Sequence, residues 1–428
     1  MAGRYRYVIA SALFVAGAIN YMDRAALGIV APLVRKDLHL SPSQLGIIFS
    51  SFFVGYAIFA FLGGQLADRF GPRRVYSWAM GGWSFMCGLT ALVTGFTSLL
   101  LCRLLFGFGE GPMNATTNRT ITNWFPRQET ATMVGFIFSG QTCGSAFTGP
   151  LVGLIALAVG WRISFVVIAL IGLVWVFFWR MLATDFPAQH PRVSKEEARM
   201  VQESRATTKP VEGNDDKLPL RSYLLRPSIL ALGFSLFAHD FALYIFLSWL
   251  PSYFTDVFHL NLKSMSFVTA IPWLCGAIGY LGGGLVGDFV YKHMKNAVLA
   301  RKLCAFPPLG LAGISLLLVS FTTTTIAAVA LISVAVMALT AVSPAVWALE
   351  HELVPARHLG GVSGFVHLLA NVSGIVGPAI MGFAIQYLGG YSAGFLLGAL
   401  VNCLAVVAII VLVKTKPRAA LAVPAVAG

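Results

Sequence analysis

Charge is scarce in this chain, and acidic charge is scarcer still. Of 428 residues only 11% are charged, with 17 Asp and Glu against 30 Lys and Arg; an ordinary soluble domain carries about 25%. That scarcity excludes soluble enzymes, disordered scaffolds and nucleic-acid-binding domains. Cysteine is also sparse. Cys87, Cys102, Cys143, Cys275, Cys304 and Cys403 all fall in or beside apolar stretches, with no C-x-x-C pair, which speaks against a disulfide frame or a zinc site. What is abundant is apolar: 57% hydrophobic residues, a mean hydropathy of +0.78 and 43 glycines. Twelve helices of about 20 residues would use that store of apolar positions. The expected class is an all-α membrane protein.

Apolar segments fall at 9–31, 44–66, 75–95, 98–118, 131–157 and 161–182, and again at 227–251, 264–287, 301–321, 324–350, 359–386 and 391–413. Between the sets, 183–226 has eight basic and seven acidic residues and no spanning run. The expected organisation is a six-helix bundle at 1–182, a cytoplasmic linker at 183–226, a second bundle at 227–414 and a short cytoplasmic tail at 415–428. Ser194-Lys195-Glu196-Glu197 has capping-box spacing, so a surface helix is expected to start there. Arg4 and Arg6 ahead of an apolar run imitate a signal peptide. The run continues through Asn20-Tyr21-Met22-Asp23-Arg24 into further apolar sequence, so it is read as a retained first span.

Lys and Arg concentrate on the cytoplasmic side of membrane proteins. With the N-terminus inside, 24 of the 30 basic residues lie in inner segments and four in outer ones, with Arg24 and Arg103 left inside spans. The net charge of +13 is therefore a topology signal, with both termini cytoplasmic. The halves also repeat. An offset of 220 residues lays His39-Leu40 on His259-Leu260, Gly63-Gly64 on Gly283-Gly284 and Asp68 on Asp288; an offset of 228 lays Gly149-Pro150 on Gly377-Pro378. Repeats of this kind place a binding site near the midplane and work by rocking one half against the other.

The loop Gly64-Gln65-Leu66-Ala67-Asp68-Arg69-Phe70-Gly71-Pro72-Arg73-Arg74 resembles the loop signature of the major facilitator superfamily. Asp68, Arg69 and Arg73 there could form a gate that pairs in one state only, or a permanently paired structural loop. Further motifs narrow the resemblance: Asn20-Tyr21-x-Asp23-Arg24, Tyr56, Arg103 through Glu110-Gly111-Pro112, Asn118-Arg119, Trp124-Phe125-Pro126 and Gln141. They are similar to those of the anion:cation symporter family, which holds bacterial hexuronate, galactonate and glucarate permeases. The match is thinner in the second half, at Tyr244 through Trp249-x-Pro251-x-Tyr253, Trp347 and Asn371.

The residues carry the same message by physical argument. An ionisable group at the middle of a span costs about 2.5–3.5 kcal/mol, so four would cost roughly 10–14 kcal/mol unpaired. Pairing between the first and fourth spans would recover much of that. Asp23 and Arg24 point about 100° apart, so one faces a cavity while the other faces an adjacent helix; Arg103 and Glu110 share a face about 10 Å apart. A guanidinium stays charged and grips a carboxylate with two prongs. Arg24 and Arg103 are thus both candidate ligands for an acid group, with Arg24 preferred. Asp23 and Glu110 are the candidate proton carriers, and the resemblance implies the same division of roles. The competing reading is an ion network that only pins the bundle.

Tyr21, Tyr56 and Gln141 could bind substrate hydroxyls, and Tyr244, Trp347, Ser343, His367 and Asn371 could complete the pocket. Three features depart from the family pattern: His239-Asp240 in the seventh span, His367 one turn before Asn371, and Glu129-Thr130 after the fourth span. The His239-Asp240 pair is either a second proton-sensitive site or a polar plug. Asn114-Ala115-Thr116 fits a glycosylation acceptor, but its place in a span removes that meaning.

The expected activity is proton-coupled symport of an organic anion, with a sugar acid of hexuronate, galactonate or glucarate type as cargo. An aromatic or dicarboxylic acid symporter, an organic-anion exchanger and a transporter-like sensor are the rivals. The 15 residues after Val413 speak against the sensor. No nucleophile with a base, metal cluster or phosphate loop suggests an enzyme. The expected setting is the inner (plasma) membrane, as a monomer in the lipid bilayer with a small carboxylate substrate, no nucleic acid and no cofactor beyond the coupling proton.

Overall fold

The computed structural model describes residues 4–126, 129–206 and 219–414. The first half holds α1 (Tyr5–Asp37), α2 (Pro42–Phe70), α3 (Pro72–Leu89), α4 (Phe96–Glu110), α5 (Met113–Trp124), α6 (Thr130–Val159) and α7 (Trp161–Leu182). Two short helices follow, α8 (Lys195–Ala206) and α9 (Arg221–Leu224). The second half holds α10 (Pro227–Phe258), α11 (Leu262–Val268), α12 (Ala270–His293), α13 (Ala297–Val319), α14 (Thr325–Leu353), α15 (Ala356–Tyr387) and α16 (Ser392–Leu412). Ten helical stretches among the described residues are long and apolar enough to cross a bilayer, α11 and α12 together making one of them.

The third and fourth expected spans are α3 and the broken α4–α5 pair, which fall outside that group. Arg73 and Arg74 open α3. Gly111-Pro112 interrupts the fourth span, and α5 beyond it is rich in Thr and Asn. Both nevertheless pack into the first bundle, against α2 and α7.

Local chemistry fixes the ends. Ser41 caps α2 in a reciprocal box, its hydroxyl accepting from the Gln44 N–H (3.2 Å) while the Gln44 side chain accepts from the Ser41 N–H (2.9 Å). Asn261, Asn296 and Thr324 cap α11, α13 and α14 by the same physics. The repeat is visible in the backbone. His39 (φ 51°) and His259 (φ 53°) are the non-glycine residues with positive φ among those described, each ending the first helix of its half. Asp68 pairs with Arg119 (3.2 Å) and Asp288 with Arg301 (3.3 Å), so the matched aspartates take partners from different helices of their halves. Arg69 lies over the Phe70 ring, and the Arg73 N–H is taken by Asp185 (2.9 Å).

The halves meet through α1 and α10, α2 and α15, and α6 with α11 and α12. These contacts concentrate at one face of the bundle, opposite the face that carries residues 4–5, 183–206, 219–226 and 414. At this seam a Cβ on Gly46 would stand 2.7 Å from the Pro378 carbonyl oxygen, and one on Gly149 would stand 2.2 Å from that of Ser266. Only glycine permits approach that close. Pro378 interrupts the helical ladder of α15, and Ser50 on α2 accepts the N–H of Ala379 across the seam (3.1 Å). Arg35 pairs with Asp256 (3.1 Å), which also accepts from the Tyr391 hydroxyl (2.9 Å).

The polar segment after α7 is tied to the first half. Ser194 caps α8 by accepting the Glu197 N–H (3.1 Å). Glu197 itself is buried and reaches the start of α1, accepting from the N–H groups of Tyr5 (3.3 Å) and Arg6 (3.1 Å) and from the Arg6 guanidinium (3.1 Å). Glu129 holds the other side of Arg6 at 3.0 Å. His190 stacks on Tyr5 with centroids 4.2 Å apart; burial, helped by the cations of Arg192 and Arg73, keeps its ring below the usual titration range. Glu197→Ala would strand buried donors at about 1–3 kcal/mol. The expected result is a fall in thermal midpoint of roughly 2–4 °C per kcal/mol, read by unfolding of the detergent-solubilised protein. An unchanged midpoint would show that the Glu197 tie between α8 and α1 bears no load.

Candidate functional site

The two halves enclose a cavity of about 700 Å³. Its wall draws on α1, α2, α5 and α6 from the first half and on α10, α12, α14 and α15 from the second, which are matching positions in the repeat. Toward the terminal face the lining residues Asn118, His351, Gly360 and Gly364 are exposed. The seam closes the opposite end.

Arg24 is the centre of the first-half wall. Its guanidinium makes a charge-assisted hydrogen bond to the Glu110 carboxylate and lies over the rings of Tyr56 (4.6 Å), Tyr21 (5.0 Å) and Phe52 (5.0 Å). Three aromatic faces and one carboxylate hold a cation that would otherwise be stranded in a low-dielectric interior. Glu110, at the last turn of α4 before the Gly111-Pro112 break, is fully buried behind that wall. Its second oxygen, Oε2, has no hydrogen-bond partner among the described residues.

The neighbours Asp23 and Arg24 diverge as helical geometry requires. Arg24 lines the cavity, whereas Asp23 faces α3, accepting from the Trp83 indole N–H (3.0 Å) and from the Cys87 thiol (3.8 Å). Arg103 does not line the cavity. It is buried beside the rings of Phe106 (5.3 Å) and Phe165 (5.9 Å), and no ion pair joins it to Asp23 or Glu110 among the described residues. The structure thus separates two arginines that spacing left equivalent.

Tyr21, Tyr56, Gln141, Tyr244, Ser343, Trp347 and His367 all line the cavity. Asn371 does not; it is buried, donating its amide to the His367 carbonyl (2.8 Å). Asp68, Arg69 and Arg73 lie at the terminal face, away from the cavity wall. Sequence reasoning missed Asn114. Its amide donates to the Tyr56 hydroxyl (3.0 Å) and its carbonyl accepts from Gln141 (3.4 Å), joining α2, α5 and α6. The available signal was its position one helical turn beyond Glu110. Glu350 was also missed: it is fully buried, with one oxygen accepting from Ser363 (2.5 Å) and the other unpartnered among the described residues. It sits at the end of an apolar run where a surface carboxylate would look the same.

Two helical bundles related by an internal repeat, with a polar cavity between them and a seal at one end, are the architecture of a membrane transporter. The chain belongs to the Major Facilitator Superfamily, whose family model matches residues 13–378. It is similar to the hexuronate transporter of Bacillus subtilis (strain 168), at 42% identity over 94% of this chain and 93% of that one. It is also similar to the probable galactarate/D-glucarate transporter GarP of Escherichia coli (strain K12), at 30% identity over 95% of this chain and 93% of that one. Among solved structures, a bacterial homolog of the human lysosomal transporter Spinster, inward-facing and occupied, aligns with a TM-score of 0.76 and 18% identity over 97% of this chain and 98% of that one. At that identity the likeness speaks for the fold.

Proposed function

We propose that the protein carries an organic anion across the plasma membrane together with a proton, by alternating access, and that the cargo is a sugar acid of the hexuronate, galactonate or glucarate type. The Arg24–Glu110 pair at the cavity wall carries this reading. A guanidinium is the side chain best suited to a substrate carboxylate, and here it is already engaged by a protein carboxylate. A proton arriving on Glu110 removes that competitor and leaves Arg24 to the substrate. Substrate and proton are then taken up together because each favours the same arrangement. Asp23, held by neutral donors, is the second proton-accepting position. Arg103 supports the first-half core from behind, and Asp68, Arg69 and Arg73 gate the terminal face. The names borne by the relatives support the class of cargo.

The concentration of Lys and Arg at the terminal face supports a cytoplasmic location for that face and for both termini. The sealed seam is then periplasmic, and the structure is an inward-open state of a monomer. Tyr21, Tyr56, Gln141 and Asn114 supply hydroxyl and amide groups for a polyhydroxylated anion. The test is uptake of radiolabelled glucuronate and galactonate into proteoliposomes, with and without an inward proton gradient. Accumulation above equilibrium only with the gradient is expected. Equal uptake without it would remove the coupling, and no uptake of either acid by folded protein would remove the cargo.

A further inference from the structure

The cavity is electrically lopsided. Among the described residues that line it, Arg24 is the one Arg or Lys and Asp240 the one carboxylate. They belong to opposite halves, Arg24 to α1 and Asp240 to α10. His239 Nδ1 and Asp240 Oδ1 lie 2.8 Å apart; in a neutral ring that keeps its proton on Nδ1 for the carboxylate, Nε2 is the acceptor. Nε2 is buried without a hydrogen-bond partner among the described residues, on a residue that itself lines the cavity and is 7% exposed. An orphaned buried acceptor beside a carboxylate is a wall that asks for donors.

We propose that Asp240 and His239 form a hydroxyl-reading subsite that admits sugar monoacids and turns away the corresponding diacids. This rests on the sugar-acid reading given above and narrows it. A hexuronate or an aldonate places its single carboxylate on Arg24 and offers hydroxyl hydrogens to Asp240 and to His239 Nε2. An aldarate carries a carboxylate at each end. Whichever end occupies Arg24, the other meets the wall that holds Asp240, where the described lining has no second fixed cation to receive it. Two carboxylates facing one another across one cavity repel, and a like-charge clash with the competitor is a recognised route to specificity. His367 and Trp347, with rings 6.2 Å apart on the same side, add further aromatic surface.

Equilibrium binding to the purified full-length protein at pH 7.5, by isothermal calorimetry, tests this with glucuronate and galactonate against glucarate and galactarate. The monoacids are expected to bind about tenfold or more tighter than the diacids. Asp240→Asn is expected to shrink that ratio severalfold, chiefly by strengthening diacid binding, and His239→Gln is expected to weaken the monoacids. Equal affinities in the unaltered protein overturn the inference whatever the variants do, as does an unchanged ratio in folded Asp240→Asn. Binding of neither class would overturn the sugar-acid reading and this inference with it. Equal binding of both would leave that reading standing and sink the inference alone.

Discussion

Glu110→Gln is expected to abolish proton-driven accumulation while leaving substrate exchange in place. One coupled proton per monoanion lets a gradient of about one pH unit support about tenfold accumulation, because a tenfold ratio corresponds to roughly 1.4 kcal/mol. Glutamine keeps the size of the side chain and can still accept from Arg24, but it neither carries a charge nor takes a proton. Arg24 is then permanently released, as it would be opposite a protonated Glu110. Binding of glucuronate should therefore stay within a few-fold of the unaltered protein and lose its pH dependence, while the accumulation ratio falls to about one. Counterflow exchange, which needs no net proton movement, should survive. Retained tenfold accumulation by this variant would remove Glu110 from the coupling. Arg24→Lys is the companion measurement. It keeps the charge but loses the planar fork, and a charge-assisted hydrogen bond is worth about 1.5–3 kcal/mol, so affinity should fall by roughly 10- to 100-fold.

The second large effect is expected from Gly46→Leu. A side chain here meets the Pro378 carbonyl oxygen at 2.7 Å and the Cα atoms of Ala379 and Gly382 at 3.2 Å. These are backbone atoms of a helix in the other half and cannot rotate away. The halves must part at this face instead. Overpacking of a tight contact costs about 1–3 kcal/mol, enough to reduce the population with this seam closed by roughly 5- to 150-fold. Transport should fall in proportion, since the cycle needs both states. A spin pair placed at Ser43 and Gln386, whose backbone and side chain now touch at 3.1 Å, should report a widened separation. Gly81→Leu is the control, because a side chain there meets nothing within 4 Å. A Gly46→Leu variant with unaltered spin distance and full transport would show that the seam does not govern access.

Much of the architecture was readable because membrane helices obey few rules. Apolar length marks the spans, and the offset of 220 residues that matched His39 to His259 corresponds to two histidines with the same left-handed backbone at the same turn. The third and fourth spans were readable as apolar stretches too, although basic residues and the Gly111-Pro112 break make them less apolar than the rest. The site was readable only in part. Periodicity could say that Asp23 and Arg24 diverge, but not which one meets the cavity, because that depends on how α1 is rotated against α3 and α6. Pairing between the first and fourth spans was expected, and the structure makes it Arg24 with Glu110; Arg103, on the same helix face as Glu110, packs beside Phe106 and Phe165 and lines no cavity. Asn114 stayed hidden because its partners, Tyr56 and Gln141, lie on other helices, and single-helix patterns do not report such triads.

The seam between the halves has a kinetic consequence. Where large side chains interlock, separation must wait for many rotamers to change together, and the barrier grows with each. At Gly46 and Gly149 the facing surfaces are main chain against main chain, so they can separate without unthreading one another. The surrounding clasps, the Arg35–Asp256 pair and the Ser50 hydroxyl on the Ala379 N–H, are polar bonds that water can replace one at a time. The side-chain interlocks that must give way with them are the ring contacts of Phe49 with Trp249 (5.6 Å) and of Phe53 with Tyr244 (4.3 Å), so the barrier to parting the halves resides in a few aromatic pairs beside glycine contacts that add little to it.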